Sequence, residues 1–138
     1  MRVMVMDGQG GGIGAAIIKG LRDSLGYDLE IFGLGTNSVA TSRMMKAGAN
    51  KGATGENAII RTSQAVDTII GPLAIMMANA MMGEVTPAMA SAVSSSNARK
   101  ILVPLTQERV RLVGLTGEPL PHLVQQIIDI VKETLSHV

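Results

Sequence analysis

The stretch Asp7-Gly8-Gln9-Gly10-Gly11-Gly12-Ile13-Gly14 decides how this chain is read. Five of its eight residues are glycine. Glycine loses more conformational freedom on folding than any other residue, so such a run persists where backbone must turn sharply or approach something closely. It follows Val3-Met4-Val5-Met6, the continuous apolar run expected of a strand buried on both faces of a parallel sheet. It precedes Ile13, Ile17, Ile18, Leu21 and Leu25, which fall on one side of a helix that Gly26 ends. Strand, glycine turn and helix in that order put unpaired amides and a partial positive charge at the turn, a setting for a phosphate.

Outward from this unit, Leu29 to Leu34 reads as a second strand ending in Gly33-Leu34-Gly35. Thr36, Asn37 or Ser38 caps a helix with Ala40, Met44 and Ala47 on one side and Gly48 as its stop. The loop A-N-K-G-A-T-G-E-N, Ala49 to Asn57, is expected to lead to a short strand at Ala58 to Ile60, and Thr68 to Ile70 to form another before Gly71-Pro72. From Leu73 to Met82 only Asn79 is polar, which predicts a helix apolar all round, buried or at an interface, and Gly83 ends it. In that helix Asn79 must find partners across a two-fold axis, on the backbone or in a crevice, and Glu84 follows it. Thr86-Pro87 marks a helix start, and that helix runs to about Ser95. Lys100 to Leu105 and Arg109 to Leu115 are expected strands, close enough for a hairpin whose second arm is an antiparallel edge. Leu120, Leu123, Val124, Ile127, Ile128, Val131 and Leu135 form one last amphipathic helix. The expected fold is α/β: a single domain over 1–138, a three-layer Rossmann-like open, mostly parallel sheet with helices on both faces and an antiparallel edge strand near the C-terminus.

Composition narrows the function. With 138 residues, 46% apolar and 17% charged, and a net charge of +1, a folded soluble domain is expected, and no long basic run recommends nucleic acid as a partner. The absence of cysteine excludes disulfides, zinc-thiolate sites and iron–sulfur clusters, and no metal site is expected. No signal-peptide pattern opens the chain and its longest apolar stretch is too short to span a bilayer, so a cytoplasmic protein without membrane contact is expected. Ten methionines replace the missing aromatic volume, and Met44, Met45, Met76, Met77, Met81, Met82 and Met89 are read as core. The methionine-rich stretch suggests a homodimer.

Gly8, Gly12 and Gly14 have the spacing G-x-x-x-G-x-G, with Ile13 between the last two. On these residues the N-terminal part of the chain resembles the Rossmann-type nucleotide-binding fold, and its glycine spacing is similar to that of short-chain dehydrogenases and reductases. The resemblance implies a nucleotide held by Gly8, Gln9, Gly10, Gly11, Gly12, Ile13 and Gly14. The ribose-binding acid usual at the end of the second strand is replaced by Gly35, Thr36, Asn37 and Ser38. Those side chains can bond a 2′-phosphate, with Arg43, Lys46 or Lys51 supplying charge, so NADP is expected before NAD; helix capping and solvated charge is the other reading. Asp7 would repel a phosphate, and its roles are capping loop amides, holding a cation or binding a sugar hydroxyl, capping being the first choice. The reductase's Tyr-x-x-x-Lys pair is absent, because Tyr27 is the sole tyrosine and Ile31 stands where lysine is needed. A methyltransferase's D-x-G-x-G-x-G spacing is absent too, and His122 and His137 read as surface groups.

In open α/β sheets, ligands lie beyond the C-terminal strand ends. That rule gathers Asp7 to Gly12, Gly35 to Ser38, Gly71-Pro72 and Pro104 to Thr106 around one crevice, with residues 52–57 over it. Asp7, Glu56 and Asn57 are the candidate catalytic groups. The chain as a whole resembles an uncharacterised family of small bacterial proteins through D-G-Q-G-G-G, Asn37 to Thr41, A-T-G-E-N-A-I at Ala53 to Ile59 and G-E-x-T-P-A-M at Gly83 to Met89. That likeness implies no activity. Three readings follow: a protein binding NADP or NAD as sensor, carrier or partner subunit; a small enzyme on a phosphorylated metabolite; or an interaction protein whose glycine loop is only a turn.

Overall fold

A computed structural model describes residues 1–105 and 108–136. Five strands form one sheet in the order β3-β2-β1-β4-β5, and every pairing is parallel. In chain order the elements are β1 (Arg2–Asp7), α1 (Gly12–Leu25), β2 (Glu30–Gly35), α2 (Ser38–Ala47), β3 (Lys51–Thr54), α3 (Glu56–Ser63), β4 (Thr68–Pro72), a 3-10 turn (Leu73–Met76), α4 (Pro87–Ser95), β5 (Arg99–Val103) and α5 (Leu120–Ser136). The chain winds from β1 out to β3, then returns to the other side of β1 to lay down β4 and β5. The change of direction falls between β1 and β4, and a crevice at the C-terminal strand ends is expected there.

Side chains of β1 alternate between two cores. Val3 and Val5 pack with Ile17, Ile18 and Leu21 of α1, Met44 of α2, and Val124, Ile127, Ile128 and Val131 of α5. Met4 and Met6 pack on the opposite face with Ile59 of α3, Ala74, Ile75 and Met81, and Met89 and Val93 of α4. The sheet is therefore the middle of three layers, and the Rossmann-like α/β expectation holds. Gly20 of α1 lets α5 come close, since a Cβ there would stand 2.5 Å from Val124 Cγ1. Among the described residues no helix is long and apolar enough to cross a membrane.

Four expectations are corrected. Ala58 to Ile60 lies in α3, because Gly55 at φ 98° starts a helix with Glu56 in its first turn and Ile59 and Ser63 buried one turn apart. The preceding loop contains β3, an edge strand whose four residues are all exposed, so no apolar pattern marks it. The apolar stretch from Leu73 makes a single 3-10 turn and then tight turns through residues 77–83, with Asn79, Met81 and Met82 at positive φ. Its apolarity reports burial of Ala74, Ile75, Ala80 and Met81, while Asn79 is exposed and Met82, expected in the core, is 97% exposed, with Met45 exposed as well. Finally, the described sheet has no antiparallel edge: Arg109 to Leu115 is irregular and exposed, and Gly114 and Gly117 at positive φ bend the chain over β5 toward α5. Thr106 and His137 lie outside the described residues.

Candidate functional site

The glycine turn begins where β1 ends. Asp7 is 3% exposed. Its Oδ1 accepts the Gly8 N–H at 2.8 Å and its Oδ2 accepts the Gly14 N–H at 2.7 Å. The carboxylate thus folds the loop around itself and occupies an amide in the first turn of α1. Burial pushes its pKa above the ordinary value, against the lowering pull of the Gly14, Gly8 and Ile13 amides and of the Arg43 charge. Gly11 is the N-cap of α1 in the left-handed region at φ 73°, and its N–H closes the turn on Gly8 O at 2.9 Å. Gly14 has no room for a side chain, because a Cβ would lie 2.8 Å from Met44 Sδ and 2.9 Å from Asp7 Cβ.

Two loop amides remain. The N–H groups of Gly10 and Gly12 donate to no described residue. Arg43 of α2 stands beside them, donating from Nη1 to Gly10 O at 2.8 Å. Among the described residues Arg43 alone of Arg43, Lys46 and Lys51 bonds to the loop. The crevice between loop and β4 has a volume of about 580 Å³, within the range of small-molecule pockets. Asp7 to Ile13 form one wall, and Pro72, Ala74, Met81, Leu105, Glu108 and Leu120 the other, with Glu108 Oε1 accepting the Met81 N–H at 3.1 Å.

A carboxylate from a distant segment governs the far side of the loop. Glu84 Oε1 accepts the Gln9 N–H at 2.8 Å, the Thr36 hydroxyl at 2.6 Å and Asn37 Nδ2 at 2.8 Å. Burial raises the Glu84 pKa, but the bonds from Thr36, Gln9 and Asn37 outweigh it and leave the carboxyl below its ordinary value. Asn37 also caps α2, its Oδ1 accepting the Ala40 N–H at 2.9 Å. Sequence reading left Glu84 without a role at the loop, and no local pattern marks it, because its partners are far away along the chain.

The expected site residues therefore separate. Gly8 to Ile13 line the crevice with Asp7, whereas Gly35, Thr36, Asn37 and Ser38 do not. Glu56 and Asn57 are exposed on the first turn of α3, and Glu56 Oε2 accepts the Thr86 hydroxyl at 2.6 Å, joining α3 to the N-cap of α4. His122 is exposed on α5 and pairs with Glu118 at 2.9 Å. The 2′-phosphate expected near Thr36 and Asn37 meets a carboxylate instead, with the hydroxyl and amide donors already bonded to it.

No curated protein sequence matches the chain. Among solved structures it is similar to the crystal structure of a dodecameric FMN-dependent Ubix-like decarboxylase from Escherichia coli O157:H7, at 15% sequence identity and a TM-score of 0.52, over 99% of this chain and 94% of that one. At that identity the likeness concerns the fold. That protein depends on FMN, which overturns the expectation of NADP or NAD, and the Glu84 carboxylate stands where the 2′-phosphate of NADP was expected. Residues 2–136 match a family described as Domain of unknown function (DUF3842), and the chain belongs to that family.

Proposed function

We propose that the crevice binds a phosphate-bearing mononucleotide of the flavin class, with FMN the first ligand to test. The observation that carries this reading is the meeting, in one crevice, of unclaimed loop amides with an apolar wall. The Gly10 and Gly12 amides and the Arg43 guanidinium are suited to one phosphate group, since Asp7 already occupies the amides of Gly8 and Gly14. Pro72, Ala74, Met81, Leu105 and Leu120 suit a flat, largely apolar ring. The FMN dependence of the structurally similar protein supports the same class. Bound there, a flavin would supply a ring that accepts and returns electrons.

We also propose self-association in the cytoplasm. Exposed Met82, Val110, Leu112, Val113 and Leu115 support it, as does the dodecameric state of the similar protein; a dimer is the smallest assembly that fits.

Titration of the purified protein with FMN and with riboflavin, followed by quenching of flavin fluorescence, tests the ligand. FMN is expected to bind more tightly than riboflavin, and Arg43→Ala to remove most of that difference. Equal affinity for both flavins would take the phosphate off the loop, and no binding of either would end the flavin reading.

A further inference from the structure

We propose that Glu84 is a positioning residue: from outside the crevice it fixes the left-handed turn at Gln9, and so sets the ligand affinity of the Gly10 and Gly12 amides without touching the ligand. The affinity half rests on the flavin reading above, while the loop half can be tested with no ligand present.

The geometry is a clamp on two successive peptide planes. Glu84 Oε1 holds the Gln9 N–H at 2.8 Å, fixing the Gly8–Gln9 peptide. Asn37 Nδ2 holds the Gln9 carbonyl at 2.8 Å, fixing the Gln9–Gly10 peptide. A trans peptide points its N–H opposite to its C=O. Fixing the Gln9 carbonyl toward α2 therefore turns the Gly10 N–H away from it, leaving that amide outside the clamp. Asn37 is itself oriented by Glu84 through the same amide nitrogen, at 2.8 Å. One carboxylate oxygen thus controls both planes.

The backbone needs such a clamp. Gln9 sits at φ 49°, a region that residues with a Cβ avoid. Among the described residues the other non-glycine residues at positive φ are Asn79, Met81 and Met82, all on the turn that delivers Glu84. Every such residue therefore lies in one of two segments that Glu84 ties together. Strained backbone persists only where surrounding contacts over-determine it, and it gathers where function uses it. The turn meets that condition, with Asn79 N–H on Val85 O at 2.7 Å and Val85 N–H on Ala80 O at 3.1 Å. Met81 of the same turn lines the crevice, so the element that shapes the loop also forms part of the ligand's opposite wall.

Glu84→Ala, Glu84→Gln and Asn37→Ser test the clamp by amide hydrogen exchange and FMN titration. Glutamine keeps an Oε1 acceptor, and serine keeps an α2 N-cap oxygen while losing the Nδ2 donors. Glu84→Ala is expected to speed exchange at Gln9, which loses its acceptor, and at Gly11, whose N–H closes the turn on Gly8 O, and to weaken FMN about tenfold, the scale of one charge-assisted bond. Asn37→Ser should act in the same direction, and Glu84→Gln should restore most of both. Exchange at these amides unchanged in both Glu84→Ala and Asn37→Ser, or fast exchange with parental FMN affinity, overturns the proposal. If Glu84→Ala does not fold, Asn37→Ser decides alone. Failure of the parent to bind FMN counts against the ligand reading, and the exchange result then decides whether Glu84 shapes the loop.

Discussion

Replacing Gly11 and Gly12 by alanine, one at a time, separates the glycine that the turn requires from the glycine that the crevice requires. At Gly11 the backbone is at φ 73°, and a Cβ would lie 2.7 Å from Ala40 Cα and 3.1 Å from Ala40 O, both backbone atoms of α2. Holding an L-residue in the left-handed region costs about 1–2 kcal/mol. Pushing α2 away adds an overpacking cost of about 1–3 kcal/mol. The sum, about 2–5 kcal/mol, corresponds for a chain of this size to a drop in Tm of about 8–20 °C. At Gly12, the first residue of α1, a Cβ meets only the Arg43 guanidinium, at 3.5 Å for Nη1, and φ is not in the left-handed region. Alanine there restricts the unfolded chain and so contributes about 0.4–1 kcal/mol, and Tm should stay level or rise by a few degrees. Calorimetric scans of both variants at neutral pH check the contrast, with circular dichroism confirming that Gly12→Ala is folded. A Gly11→Ala protein melting within about 2 °C of the parent would refute the described contact between loop and α2. Equal losses in the two variants would refute the assignment of their different roles. Gly12→Ala should still weaken FMN, because its methyl stands among the crevice-lining residues.

Other outcomes follow from the same geometry. Asp7 has a raised pKa in the folded state, so its contribution is fully present in acid and is lost as pH rises through that value. The Tm of Asp7→Asn relative to the parent should therefore increase from pH 4 toward pH 7, and a flat difference would contradict the burial of a charge at Asp7. Glu84 has a lowered pKa, so its contribution is present at neutral pH and is lost as pH falls through its folded value. Glu84→Gln should accordingly show a smaller acid-induced loss of Tm than the parent. Thr86→Ala removes the α4 cap to Met89 N–H and the bond to Glu56, at an expected cost of about 1–2 kcal/mol in urea unfolding. FMN affinity should be unaffected, since neither Thr86 nor Glu56 lines the crevice.

The parts legible in the sequence are those where local pattern and burial agree. Val3 to Met6 is buried on both faces of β1, the α1 and α5 stripes face one core, and Thr86-Pro87 starts α4 with its hydroxyl on Met89 N–H. The rule that ligands lie beyond the C-terminal strand ends gathered Asp7 to Gly12 and Pro72, which do line one crevice, together with Gly35 to Ser38, which do not. β3 was hidden because Lys51, Gly52, Ala53 and Thr54 are all exposed and present no apolar face. The run from Leu73 misleads because hydrophobicity records that a segment is covered, whether by a helix or by turns. Glu84 was illegible for a different reason: its meaning depends on Gln9, Thr36 and Asn37 arriving beside it, and only the closed fold does that.

The bond from Gln9 to Glu84 spans 75 residues of sequence. Contacts of such separation form only after the intervening chain has paid its loop-closure entropy, which makes them slow to appear during folding. β1 also waits for β4, its partner on the second side, which starts at Thr68. A chain growing from its N-terminus can close the local bonds of the glycine run on Asp7 and Gly8, but the Gln9 N–H has no Glu84 to meet while α1, β2 and α2 are being added. The glycine loop is synthesised well before the turn that carries Glu84, and it acquires its final form only once that turn is in place.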